Sequence, residues 1–233
     1  MPVVAAAVCP HPPLLVPEVA SGAAPELDDL RAACLAAVES LATAAHIVVI
    51  GSGSPTQEAG VGTYDAAAGG SFGAYGAPGV RFGSGQPVLP LSLAIGGWLL
   101  EQTKAAQLPR TYRSVPPATP PNECIRRGRE IADGNDSIGL LVMGDGSARR
   151  SEHSPVHLHP RAEIFDTTVA NALHHRDFDV LKALDPDLAA ELQAAGRAPW
   201  QVLAGALEGT SLSGDLTYEA APYGVGYLVA TFT

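Results

Sequence analysis

The chain has 233 residues, 46% of them apolar, enough to bury one core of ordinary size. Its 14 Lys and Arg against 24 Asp and Glu leave a net charge of −10 with no basic run, so neither a nucleic-acid backbone nor an anionic membrane surface is an expected partner. Cys9, Cys34 and Cys124 are odd in number and widely spaced, which argues against a disulfide framework or a zinc ribbon and points to a reducing, cytoplasmic setting.

In chain order, Val3 to Cys9 is a continuous apolar run closed by Pro10 and predicts a strand buried on both faces. No basic residues precede it, so it does not read as a secretory signal. Pro25 and Glu26 open a predicted helix whose apolar positions Leu27, Leu30, Cys34, Ala37 and Leu41 recur every three or four residues. His46 to Gly51 predicts a second buried strand, so this stretch reads as a βαβ unit with parallel strands and a right-handed crossover. Ser52 to Pro87 is rich in Gly, Ala and Ser with no sustained period and predicts a long functional or mobile loop.

Leu91 to Ala105 returns to helical spacing, a short strand is predicted near Tyr112 to Val115, and Asn122 to Ala132 predicts another helix. Ser137 to Met143 predicts a further buried strand, and His159 to Gly209 reads as helix broken at Asp185-Pro186. Leu212 to Glu219 and Tyr223 to Phe232 predict a closing pair of strands. The second is apolar on both faces and so is expected inside the sheet. The longest apolar region, Val88 to Leu100, is too short to span a bilayer and contains Pro90.

The fold class expected is α/β: one domain over residues 1–233, with a central mostly parallel or mixed sheet and helices on both faces. Ligand crevices in such sheets lie at the carboxyl ends of the strands. Four loops are expected there: Pro10 to Pro12, Ser52 to Thr56, Gly144 to Ser147, and the turn at Glu219.

His11, between two prolines after the first strand, is a candidate metal ligand, because neutral imidazole is the commonest one; the plainer alternative is a solvated loop histidine. Gly69 to Gly73 matches G-x-S-x-G around Ser71, but its flanks are not the strand and helix that a nucleophile elbow needs. Gly51 to Thr56 follows a strand as a phosphate loop would, yet lacks the Lys-Ser/Thr ending, and Gly224 to Gly226 is expected inside the last strand. His153, His157 and His159 cluster in one segment and could bind zinc or iron, although Pro155 and Pro160 favour a solvated loop.

Cys9-Pro-His-Pro-Pro-Leu14, His46 to Pro55, Gly144 to Ser147, Pro199 to Leu207 and Glu219 to Ala230, in this order, resemble the class III extradiol ring-cleavage dioxygenases typified by the catalytic B subunit of protocatechuate 4,5-dioxygenase. The sequence is also similar to the Memo-like proteins. The resemblance implies one non-haem Fe(II) held by two histidines and a glutamate, with open positions for a catechol and for O₂. His11 matches the first ligand and Glu219 the carboxylate.

Elsewhere the chain departs from the pattern. Thr56 stands where the second ligand histidine is expected, Ala148 follows Ser147 where the acid/base histidine belongs, and Gly85 occupies the position of the pocket histidine. Loss even of a group behind the ligands costs roughly 10- to 100-fold in metal affinity or activity, and loss of a general acid/base about 10²- to 10⁴-fold in rate. The expectation is therefore a family member that has lost ring cleavage and binds a small molecule or regulates. Its vestigial metal site would be His11 and Glu219, and its pocket Thr56, Gly85, Asp145, Ser147 and Ala148. No cofactor is expected on this reading. The alternative is an active metal-dependent oxidoreductase using Fe(II) or Zn(II) through ligands relocated to His153, His157 or His159. A small-molecule ligand is the expected partner in either case, and a homo-oligomer is compatible with both.

Overall fold

The computed structural model describes residues 3–53, 62–134 and 136–233. Val3–Cys9 forms β1, and after a short helix at Pro17–Ala20 (α1) and a tight turn of 3-10 helix, Asp28–Glu39 forms α2. β2 is His46–Ser52, β3 is Gly62–Tyr64, β4 is Gly70–Phe72 and β5 is Ala77–Phe82. Then come α3 (Leu91–Glu101), β6 (Arg110–Val115), α4 (Pro121–Ala132) and β7 (Ile138–Met143). Four helices follow: α5 (Ala162–His175), α6 (Phe178–Lys182), α7 (Pro186–Leu192) and α8 (Arg197–Ala206). β8 (Gly214–Ala220) and β9 (Tyr227–Phe232) close the chain.

Seven strands make one mixed sheet in the order β3-β6-β2-β7-β1-β9-β8, and β4 pairs with β5 separately. β6, β2, β7 and β1 run parallel, whereas β3 and β9 are antiparallel to their neighbours. The two strands of the expected βαβ unit are indeed parallel, but β7 lies between them. All six residues of β7 are buried, and a strand so apolar on both faces belongs in the centre. β9 sits one place in from the edge, as its two apolar faces require.

Alternation along the strands divides the core in two. Val8, Ile50, Val142 and Leu228 pack against α4, α5 and α8, while Cys9, Val49, Met143 and Tyr227 pack against α2 and α3. The stretch expected to be a long loop carries β3 on the sheet edge and the β4–β5 hairpin, whose Phe72 is fully buried against α3's layer. Gly224 to Gly226 belongs to the turn before β9 rather than to the strand, with Gly224 in the left-handed region at φ 72°.

α4 and α8 touch backbone to backbone. A Cβ on Gly128 would sit 2.1 Å from the Val202 carbonyl oxygen, and one on Gly205 2.2 Å from that of Ile125. Beside this contact Arg197 is buried with no carboxylate partner among the described residues. Its guanidinium donates to the carbonyls of Thr119 (2.7 Å) and Pro117 and to Gln201 Oε1 (2.9 Å), tying the proline-rich linker before α4 to α8. Gln201 in turn donates to the carbonyls of Lys182 and Leu184 at 3.1 and 3.0 Å. Among the described residues no helix is long and apolar enough to cross a membrane.

Candidate functional site

β1, β2, β6 and β7 are parallel, so the segments that follow them emerge at one edge of the sheet, and the β8–β9 turn arrives at the same edge. Backbone hydrogen bonds join three of these segments. The Gly144 N–H donates to the Cys9 carbonyl (2.9 Å), Gly146 N–H to the Gly226 carbonyl (2.7 Å), and Gly226 N–H back to the Ser147 carbonyl (2.9 Å). Of the segment after β2, residues 54–61 lie outside the described residues, and with them Ser54, Pro55 and the expected pocket residue Thr56.

His11 is 6% exposed, its conformation set by the prolines on either side. Its backbone N–H donates to Asp145 Oδ1 at 2.7 Å. The ring Nδ1 stands 3.5 Å from the same oxygen, buried and without a hydrogen bond among the described residues. Tyr227 and Cys34 lie close enough to feel Asp145: burial first, and then that carboxylate, raise the Tyr227 phenol, while burial, the neighbouring Cys9 and the Asp145 charge raise the Cys34 thiol. The His11–Asp145 pair thus borders the buried Tyr227 and Cys34, on the α2 side of the sheet.

Glu219 lies elsewhere. It pairs across the sheet with Leu228, whose side chain belongs to the core under α5, whereas the adjacent Tyr218 faces the other layer with Tyr227. Glu219 is exposed, and the group that registers its charge is Asp166 on α5. Asp166 is fully buried, accepting the Ser147 N–H at 2.7 Å and Arg150 Nη1 at 3.0 Å. Burial raises its carboxyl above the ordinary aspartate range against the pull of those two donors, and Glu219 adds to the rise. Gly146 and Gly226 allow this approach, since a Cβ on Gly226 would stand 2.1 Å from Asp166 Oδ2.

The other candidate residues separate as follows. Ser147 is buried and fully engaged: its Oγ donates to the Leu192 carbonyl and accepts the Arg149 N–H, so it braces the loop. Ala148 is half-buried beside it. Gly85 lies apart, lining a shallow depression of about 340 Å³ with Thr63, Asp65 and Gln86 near the sheet edge. His159 has both ring nitrogens occupied, by the Arg161 N–H and by Glu191, while His153 and His157 are exposed. Ser71 lies in β4, where its hydroxyl accepts the Gly73 N–H, and no strand-to-helix elbow forms.

The structure therefore joins His11 to Asp145, and Ser147 to Asp166, and puts Glu219 with the second pair. Among the described residues no group of three His, Cys, Asp or Glu side chains converges for a metal ion. The described residues do not make up the two-histidine, one-carboxylate triad that the resemblance implies for Fe(II). Asp166, Arg150 and Tyr227 went unremarked in the sequence. The available signal was Asp166 itself, a carboxylate four residues after Ala162 and three before Val169, within the apolar stripe of its helix.

No protein-family model matches the chain. Among curated proteins, the protein CA_C1420 of Clostridium acetobutylicum is 28% identical over 99 residues, 42% of this chain; the match covers 21% of that relative's length. Among solved structures, the uncharacterised protein JW3007 of Escherichia coli K12 superposes with a TM-score of 0.52 at 18% identity, over 98% of this chain and 99% of that one. That likeness is one of fold.

Proposed function

We propose that the protein is an extradiol-dioxygenase-like binding protein: the ring-cleavage scaffold is kept, Fe(II)-dependent chemistry is lost, and a small molecule is held at the carboxyl edge of the sheet. The observation that supports this reading is His11, buried with an unpartnered Nδ1, its backbone fastened to Asp145 and its loop fastened to the segment after β7. An orphaned buried ring nitrogen costs free energy that a ligand donor or acceptor restores. The Asp145 carboxylate disfavours an anion there, so the ligand class is neutral or cationic and carries hydrogen-bonding groups.

Thermal-shift titration with a panel of neutral phenols, diols and amines tests the binding. At least one should raise Tm for the native chain and fail to do so for His11→Ala. The loss of chemistry has its own test: Fe(II) is supplied anaerobically, then oxygen and catechols are added. Ring-opened product at enzymatic rates would refute the proposal.

A further inference from the structure

On the opposite face of the sheet from His11, a cavity of about 210 Å³ lies between β6 and α4. Arg113, Arg126 and Arg127 line it with Glu123 and Glu130, leaving one positive charge in excess inside a protein that is strongly negative as a whole. Glu123 is committed to Arg126 and Arg127, at 2.6 and 2.8 Å, and Glu130 to Arg126. That pairing holds the Glu123 carboxyl down at about 2, through the Arg126 and Arg127 hydrogen bonds, so the glutamates accept from the helix and not from β6.

Two donors remain. Among the described residues Arg113 Nε and Arg127 Nη1 are both buried without a hydrogen-bond partner, and Arg113 forms no ion pair. Arg113 follows Tyr112, which faces the other core layer, so strand alternation turns it toward this cavity. Buried guanidinium N–H groups left unpaired are costly, and a carboxylate has two acceptor oxygens, one to offer each arginine. The floor is apolar, from Ile50, Val115 and Val202, which a fully hydrated ion such as phosphate would leave unused.

From this geometry we infer that the cavity is a binding site for a small organic carboxylate, its anionic head on Arg113 and Arg127 and its apolar body against the strand residues beneath. This site is separate from the one at His11 and does not depend on that reading.

Benzoate is the probe, titrated into the full chain by calorimetry, with inorganic phosphate as the comparison. The expected result is saturable benzoate binding that falls at least about 10-fold in Arg113→Gln, the change expected for losing one charge-assisted contact. Arg113→Lys, which keeps the charge and loses the fork, should fall between. The Arg113 side chain has no hydrogen bond or ion pair to lose among the described residues, so both variants are expected to fold, and far-ultraviolet circular dichroism checks this. Guanidinium Nε–H resonances in a ¹⁵N spectrum should move on benzoate addition for the native chain, and the signal assigned through Arg113→Gln should be among them. No saturable binding, an unchanged affinity in Arg113→Gln, or phosphate bound more tightly than benzoate would overturn the inference.

Discussion

Gly128→Ala tests the packing that positions α4, and the structure sets the size of the effect. The new Cβ would meet the Val202 carbonyl oxygen at 2.1 Å, the Ala206 nitrogen at 2.6 Å and the Gly205 carbonyl carbon at 2.9 Å. All three are backbone atoms of α8, so no side-chain rotation relieves the contact, and the helices must part by roughly 1 Å. Overpacking of this kind costs about 1–3 kcal/mol, and an immovable neighbour places it toward the upper end. Replacing a helical glycine by alanine returns about 1 kcal/mol of propensity. The net is a loss of about 2 kcal/mol, or a fall in Tm of roughly 4–8 °C for a chain of this size. Urea unfolding followed by circular dichroism measures it, with Gly22→Ala as the control, since a Cβ there meets nothing within 4 Å. If Gly128→Ala matched the native chain in stability, α4 and α8 would not be in backbone contact and the fold described above would be wrong there.

Arg197→Met should cost about 3 kcal/mol, because the Pro117 and Thr119 carbonyls and Gln201 Oε1 lose their buried donor at about 1–3 kcal/mol each, partly offset by the guanidinium's own desolvation. A calorimetric Tm within a degree of the native value would show that those carbonyls find other donors. Asp145→Ala should destabilise by about 1–3 kcal/mol, since the buried His11 N–H is orphaned, while Asp145→Asn keeps an acceptor and recovers most of that. Equal loss in the two variants would assign the role to charge instead. Burial raises the folded-state pKa of Asp166 above the unfolded value, so its contribution is fully present below the unfolded pKa and is lost as pH rises through the folded one. The stability of Asp166→Asn relative to the native chain should therefore improve as pH rises through this acid window. Urea midpoints that keep a constant difference from pH 3 upward, roughly one unit below the ordinary aspartate value, would contradict the assignment.

β1, β2, β7 and β9 were legible because each is a short apolar run whose both-faced burial the sequence already displays; Ile138–Met143 and Tyr227–Phe232 are the clearest cases. Their order was not. Whether β7 or β2 lies beside β1 depends on which crossover fills which face, and composition does not carry that information. β3 and the β4–β5 hairpin escaped for a different reason. β3 and β4 are three residues long and each opens on a glycine, which leaves no room for a period of two to show itself, and β5 carries Pro78 and Gly79; their stability comes from tertiary partners such as β6 and the α3 layer. Arg197 was equally hidden: nothing local distinguishes a solvated arginine from one whose charge is satisfied by carbonyls about eighty residues away in sequence.

At the site, position along the chain was readable and facing was not. Loop order places His11, Asp145, Ser147 and Glu219 at one edge of the sheet, and the parallel strands put them there. Which layer the Glu219 side chain enters depends on a register shift in β8, between Leu216 and Tyr218. Across that bulge Tyr218 turns to the α2 side with Tyr227, and Glu219 turns toward Asp166. A one-residue change in that register would exchange the two, bringing the Glu219 carboxylate to the His11 side and removing a like charge from beside Asp166. A bulge is invisible to pattern reading, because it adds one residue to a strand without altering its composition. The placing of the Glu219 carboxylate on the Asp166 face, away from His11 and Asp145, is thus decided by one irregular residue in the closing hairpin.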